Sequence, residues 1–110
     1  MGPRRVLRCV IAVTVLAAMS ATVLAQTANS VARGKDLAEQ ACAGCHAITG
    51  GEPKTIQGRL VPSLSAIAGG PNATTERLKA VITTPRHPMP ATPLALSEIN
   101  DLVAYIRSLQ

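Results

Sequence analysis

Five consecutive residues carry the side chains best suited to chemistry. Cys42-Ala43-Gly44-Cys45-His46 holds two thiols three positions apart, and an imidazole follows the second thiol directly. Thiols at this spacing can add to the two vinyl groups of a haem, and the adjacent imidazole can bind its iron from one face. The pattern C-x-x-C-H therefore predicts one covalently bound haem c, attached to Cys42 and Cys45, with His46 as an axial ligand of the iron.

Two other kinds of chemistry compete for the same residues. A redox-active dithiol of the thioredoxin type needs a βαβ context, which the sequence does not suggest, and it leaves His46 without a role. A zinc site would use Cys42, Cys45, His46 and His87. Adjacent Cys45 and His46 would have difficulty serving one tetrahedron, and zinc sites usually space their second pair of ligands differently.

Residues 1–25 have the three-part pattern of a secretory signal peptide. Three arginines lie within the first eight residues, residues 9–18 are apolar apart from Thr14, and Val23 and Ala25 occupy the −3 and −1 positions of a cleavage site. The alternative is a retained membrane anchor, for which residues 9–25 are at the short limit. Cleavage predicts export to the periplasm and a mature chain of residues 26–110, with no stable membrane insertion.

Removal of the leader lowers the net charge of the chain. The whole chain has a formal charge of +5, from 11 basic and 6 acidic residues. Three of the basic residues belong to the leader, which leaves eight against six and a net charge of +2. Tyr105 is the only aromatic residue. The predicted mature chain lacks both the strong positive charge and the aromatic residues for base stacking that are typical of nucleic-acid-binding proteins.

The candidates for the second axial ligand of the iron can be reduced by elimination. Met1 and Met19 lie in the leader, so Met89 is the only methionine of the predicted mature chain. It stands between Pro88 and Pro90, which restrict the backbone before any ligand binds. A gap-filling core residue is the ordinary role of methionine, and His87 is a rival ligand two residues away.

Periodicity predicts an all-α domain with three main helices, one short helical turn and long loops. The first helix is expected to be capped at Asn29 or Ser30. A short helical turn is expected from Leu64 to Ala68, stopped by Gly69-Gly70. A second helix is expected to start near Thr74 or Thr75 and to be ended by Pro85. Ser97 is the expected N-cap of the last helix, which carries apolar residues at helical spacing up to Leu109.

Residues 30–110 resemble the class I, mitochondrial-type cytochromes c of bacteria. The C-x-x-C-H motif is the most specific part of the resemblance. Gly34 is similar to the glycine at the crossing of the first and last helices of that family, and Tyr105 is similar to the aromatic residue of its last helix. The family carries an aromatic residue where this chain has Leu37. The resemblance implies the cytochrome c fold around one haem.

The resemblance also implies further site residues. Val61-Pro62-Ser63-Leu64 is similar to a family segment in which the proline carbonyl accepts the hydrogen of the proximal histidine ring and the leucine packs on the haem. This implies that Pro62 supports His46, that Leu64 contacts the haem and that Met89 is the second axial ligand. The family usually places a Trp or Tyr near the haem propionates. This chain has no Trp, so Arg59, Arg86 or backbone groups are the candidates for that role.

The function implied is one-electron transport in the periplasm by a monohaem protein with His/Met ligation. Its partners would be redox proteins: a dehydrogenase or quinol-oxidising complex as donor and a terminal oxidase as acceptor. A permanently bound, electron-accepting subunit of a dehydrogenase complex is one alternative. A haem peroxidase or gas-binding protein is another, and it would require an open or labile position on the iron.

Overall fold

The computed structural model describes residues 2–86 and 88–110, and for residues 4–21 it describes the backbone only. Within these residues the chain forms four helices, α1 (Pro3–Ala41), α2 (Leu64–Ala68), α3 (Thr75–Thr83) and α4 (Leu96–Ser108). A hairpin of two strands, β1 (Lys54–Ile56) and β2 (Arg59–Val61), stands between α1 and α2. The predicted all-α fold with three main helices, one short helix and long loops is confirmed, with this small sheet added.

Helix α1 begins far ahead of the cap that was expected at Asn29 or Ser30. The backbone is helical without interruption from Pro3 to Ala41, so neither residue starts a helix. The physical reason lies in the composition of the segment. No glycine or proline stands between Pro3 and Gly34, and a helix without a breaker propagates at little cost per residue. The boundary predicted after Ala25 falls inside α1.

The crossing of α1 and α4 explains why residue 34 is a glycine. A Cβ atom at this position would lie 2.0 Å from the carbonyl oxygen of Asp101 and 2.8 Å from the Cβ of Tyr105. Only glycine lets the two backbones approach so closely. Ala38, one turn further along α1, is fully buried in the same contact. The expectation that Gly34 permits close approach of another helix is confirmed.

An ion pair joins the same two helices. Arg33 donates from Nε to Asp101 Oδ2 at 2.7 Å and from Nη2 to Asp101 Oδ1 at 3.0 Å, so the guanidinium holds both carboxylate oxygens. This hydrogen-bonded pairing lowers the pKa of Asp101 from its ordinary value, with a smaller contribution in the same direction from Ser30. The carboxylate is almost completely buried, whereas half of the Arg33 side chain is exposed.

The hairpin was not foreseen in the loop-rich middle of the chain. Its strands are antiparallel and pair Lys54 with Val61 and Ile56 with Arg59. Both turn residues, Gln57 and Gly58, have positive φ angles of 50° and 75°, as in the tight turns whose twist suits a hairpin. Three-residue strands are too short for a pattern of alternation to be detected, and Gln-Gly is a weaker turn signal than Asn-Gly.

Side-chain caps begin the three shorter helices. Ser63 Oγ accepts a hydrogen bond from the Ala66 amide, and Thr74 Oγ1 accepts one from the Arg77 amide. The expected N-cap of α4 at Ser97 was wrong by two residues, because the N-cap is Ala95 and the helix begins at Leu96. There the Glu98 carboxylate reaches back to the amide of Ala95 at 2.7 Å, so an acidic side chain of the first turn caps this helix.

Candidate functional site

The two thiols and the imidazole stand on one tight turn at the end of α1. The amide of Cys42 still donates to the Ala38 carbonyl, at 2.9 Å, and closes the helix. The amides of Cys45 and His46 then both donate to the Cys42 carbonyl, at 3.1 and 2.9 Å. All three functional side chains are therefore carried by one short, hydrogen-bonded segment. Both thiols are free and partly buried, and burial raises the pKa of the Cys42 thiol.

One hydrogen bond determines which nitrogen of His46 is available. Its Nδ1 lies 2.8 Å from the carbonyl oxygen of Pro62. Because a carbonyl can only accept, Nδ1 carries the hydrogen, and in the neutral ring Nε2 then keeps its lone pair. The amide of Leu64 donates to the Ala47 carbonyl at 2.9 Å and ties the Pro62 segment to the turn. The ring is thus oriented with a nitrogen lone pair that can bind a metal.

A crevice with two lobes opens beside this turn. One cavity has a volume of about 330 Å³ and the other about 260 Å³. They share seven lining residues and are therefore adjoining parts of one space: Ala41, Cys42, His46, Pro62, Met89, Pro90 and Thr92. Cys45 also lines the larger cavity, and Leu64 the smaller one. The crevice thus brings together all six residues that the sequence singled out for this site.

The two lobes differ in character. The smaller one, the inner lobe, is walled by apolar side chains of the core: Leu64, Ile67, Leu78, Val81, Ile82, Leu94, Leu102 and Ile106. The larger one, the outer lobe, is walled by the hairpin and by the loop after α3, which supply Ile56, Arg59, Leu60, Val61, Arg86 and Pro88. Leu60 remains 72% exposed at this edge. The crevice therefore has an apolar interior and a mouth that carries positive charge.

Met89 lines both lobes from the proline-rich loop. Its amide donates to the Arg86 carbonyl at 3.0 Å, which closes a turn just before it. The side chain is partly buried, and it is held between Pro88 and Pro90. The rival ligand, His87, lies outside the described residues.

The hairpin contributes a contact that the sequence did not suggest. Lys54, on β1, donates from Nζ to the carbonyl oxygen of Ala43 at 2.6 Å. The sequence shows Lys54 only as a surface charge. The contact depends on the hairpin folding back over the attachment turn, and three-residue strands gave no signal of that.

The two competing kinds of site find no support in the described residues. The only sheet formed by residues 2–86 and 88–110 is the antiparallel hairpin, which is not the βαβ context of a thioredoxin-like dithiol. No group of three or more His, Cys, Asp or Glu side chains in the described part of the chain could hold a metal ion. An imidazole and a thioether beside an apolar crevice suit a haem better than zinc.

Two comparisons with known proteins agree with this geometry. The family model described as "Cytochrome C oxidase, cbb3-type, subunit III" matches residues 29–106. The chain is similar to a cytochrome c-552 of Bradyrhizobium diazoefficiens, with 35% identity over 104 residues that cover 94% of this chain and 95% of the relative. No solved structure matches the chain significantly. Among the residues whose structure is described, no helix is both long enough and apolar enough to span a bilayer.

Proposed function

The chain belongs to the c-type cytochrome family whose model is described as subunit III of cbb3-type cytochrome c oxidase, and from this premise we propose that it is a periplasmic one-electron carrier. Membership of the family means a covalently bound haem c with its iron, and electron transfer rather than enzymatic catalysis. The alternative of a peroxidase or gas-binding protein is therefore set aside. The finer parts of the proposal are the site residues, the ligands and the location.

The shared lining of the crevice is the observation that carries the proposal. Cys42, Cys45, His46 and Met89 all line the outer lobe, although Met89 is 43 residues away from His46 in the sequence. We assign the two cysteines to the thioether bonds and His46 and Met89 to the iron. The Nδ1–Pro62 hydrogen bond supports His46, since it leaves Nε2 free to bind.

The residues present fit a haem. Its ring is large and apolar, and the inner lobe offers only aliphatic side chains, proline, threonine, a thiol, an imidazole and a thioether as its walls. Leu64 is 3% exposed and lines this lobe, which supports its assignment to haem packing. Haem bound there supplies one-electron chemistry between Fe(III) and Fe(II). The chain holds the ligands fixed, excludes water from the ring and, through His/Met ligation, favours a raised reduction potential.

The location is proposed from the N-terminal pattern and from the chemistry of attachment. Residues 1–25 are assigned to a cleaved signal peptide, and residues 26–110 to the monohaem domain. Thioether formation needs reduced thiols delivered to an extracytoplasmic assembly site, and export supplies that site. The leader has a basic segment, then an apolar segment, then small residues, and this order supports export.

Two modes of partnership follow. A free carrier would shuttle between a dehydrogenase or quinol-oxidising complex and a terminal oxidase. A permanently bound subunit is the second candidate, and it is favoured by the description of the family model, which names a subunit of an oxidase. The chromatographic behaviour of the native protein separates these modes: a free carrier elutes at its monomer size, whereas a subunit co-elutes with its enzyme.

The test of the proposal is the intact mass of the protein purified from the periplasm. After acid–acetone extraction we expect a mass equal to residues 26–110 plus one haem. The double variant Cys42→Ser/Cys45→Ser is the control and should lose the added mass. Haem removed from the wild-type protein by the extraction would contradict attachment through the cysteines, and a mass that includes residues 1–25 would contradict cleavage.

A further inference from the structure

The open end of the hairpin holds the attachment turn at two points. This end is the pair formed by Lys54, where β1 begins, and Val61, where β2 ends. Lys54 Nζ donates to the Ala43 carbonyl at 2.6 Å. Pro62, the residue after Val61, accepts a hydrogen bond from His46 Nδ1 at 2.8 Å. The two contacts therefore join one end of the hairpin to both halves of the turn.

The Ala43 carbonyl depends on Lys54 for its hydrogen bond. In the described part of the chain this carbonyl receives no hydrogen bond from the backbone, whereas the Cys42 carbonyl receives two. Apart from the Lys54 bond, no hydrogen bond between described residues joins the two strands to residues 42–46. Hydrogen bonds from a charged donor such as an ammonium group are shorter and stronger than those from a neutral one. The Lys54 side chain is thus the direct link between β1 and the turn.

The base of the loop that carries the hairpin is held by other bonds. The Leu64 amide donates to the Ala47 carbonyl at 2.9 Å, and the Gly50 amide donates to Ser65 Oγ at 3.0 Å. Neither bond involves Lys54, so both should persist when its side chain is replaced. The loop should then stay folded while its strands gain freedom to shift over the attachment turn.

A shift of β1 reaches His46 through the backbone. Lys54 pairs with Val61 in the antiparallel ladder, and Val61 is followed directly by Pro62. We propose that Lys54 is a positioning residue for His46: it fixes the hairpin on the attachment turn and thereby keeps the Pro62 carbonyl in line with the ring. This inference rests on the proposed function, in which the same ring binds the iron. The partner of the ring N–H orients a metal-binding imidazole and raises its basicity as a ligand.

Loss of the Lys54 side chain should loosen the hydrogen bond between His46 and Pro62 without unfolding the domain. In Lys54→Ala, the Nδ1 hydrogen of His46 should exchange with solvent about threefold to tenfold faster, the range that corresponds to the loss of one hydrogen bond. The nitrogen NMR shift of Nδ1 should change as well. Lys54→Arg keeps a charged donor and should restore both values. The amides of Leu102 and Ile106, in α4, should keep their wild-type exchange rates.

The experiment is NMR-detected hydrogen exchange of the reduced holoproteins at fixed pH and temperature. Thr55→Ala is the matched control for Lys54→Ala. Thr55 is the next residue of β1 and is exposed, and its side chain lies on the opposite face of the hairpin because side chains alternate along a strand. The control therefore perturbs the same strand but leaves the Lys54 contact in place. We expect the exchange rate and the nitrogen shift of His46 in Thr55→Ala to match those of the wild type.

Wild-type exchange at His46 in Lys54→Ala would overturn the inference. Equal acceleration at His46 and in α4 would also overturn it, because it would show a general loss of stability. If Lys54→Ala loses its haem, the other two variants decide: wild-type exchange in both Lys54→Arg and Thr55→Ala supports the inference, and fast exchange in either contradicts it. The proposed function fails separately. A wild-type protein without covalent haem contradicts that proposal whatever the Lys54 variants show.

Discussion

At the scale of single residues, the two proposed ligands of the iron are prepared in different ways. His46 is fixed locally: it shares a hydrogen-bonded turn with the attachment cysteines, and its Nδ1 is committed to the Pro62 carbonyl. Met89 belongs to a distant loop and reaches the crevice because the chain turns at Arg86 and is restrained by prolines. The bond to Met89 should therefore be the weaker of the two and the first to change under mutation.

Met89→Ala should abolish the weak near-infrared band that sulfur-to-iron charge transfer gives in the oxidised protein. The thioether is the only methionine sulfur of the predicted mature chain, so no other residue can restore this band. Covalent haem should remain, because attachment depends on Cys42 and Cys45. The spectrum of His87→Ala is the comparison. A wild-type protein without the band, together with a changed spectrum in His87→Ala, would instead indicate ligation by two histidines.

Asp101 should make the stability of the protein depend on acid pH. The hydrogen bonds from Arg33 hold the pKa of Asp101 below its ordinary value. The ion pair therefore contributes its full stabilisation above the unfolded-state pKa, about 4, and loses it as the pH falls through the lower folded-state pKa. Asp101→Asn should be less stable than wild type at pH 7, with the difference shrinking in acid.

The measurement is chemical denaturation of both holoproteins between pH 7 and acid pH. Glu39→Gln is the matched control, because the ion pair that Glu39 forms with Lys35 is exposed, at 3.7 Å, and pairs of this kind contribute little. A pH-independent difference between wild type and Asp101→Asn would contradict the assignment of the acid sensitivity to this ion pair.

At the scale of elements, the sequence predicts what depends on neighbouring residues. The short helical turn of α2, the start of α3 near Thr74 and the C-x-x-C-H motif each depend on a few adjacent positions, and both helices lie where the sequence indicated. The hairpin and the true start of α1 were not predicted. Strands of three residues leave too little pattern to detect, and Asn29 and Ser30 can lie inside a helix as well as cap one. The walls of the crevice come from segments far apart, so only the three-dimensional fold assembles them.

Gly34→Ala should destabilise the protein by about 3 kcal/mol or more, because the added carbon overlaps the Asp101 carbonyl. An ordinary helical Gly→Ala change would be stabilising by about 1 kcal/mol, so the sign is diagnostic. Gly69→Ala is the control. Its φ angle is −76°, and an added Cβ would lie 3.5 Å from the nearest atom, the Ser65 carbonyl oxygen. Equal unfolding free energies for the two variants would show that α1 and α4 can separate without loss.

At the scale of the whole molecule, the crevice and the hydrophobic core share many of their residues. Buried residues of α2, α3 and α4, among them Leu64, Leu78 and Leu102, also line the inner lobe. Without a ring in that lobe, these side chains lose packing partners on one face. A domain of this size has little stability to spare. Haem is therefore expected to be part of the hydrophobic core.

Cys42→Ser/Cys45→Ser should consequently give a largely unfolded chain, with little helical circular dichroism and no cooperative thermal transition. The variant cannot hold the haem covalently, and the walls of the inner lobe must then be exposed to water or collapse. Cys42→Ala/Cys45→Ala is the matched variant, because it removes the attachment without adding hydroxyl groups to a partly buried turn. If both double variants unfold while the wild-type holoprotein melts cooperatively, the missing haem is the common cause. If the alanine variant melts cooperatively with native helix content and without bound haem, the four helices are sufficient to form the core, and the haem adds only function to a fold that already exists.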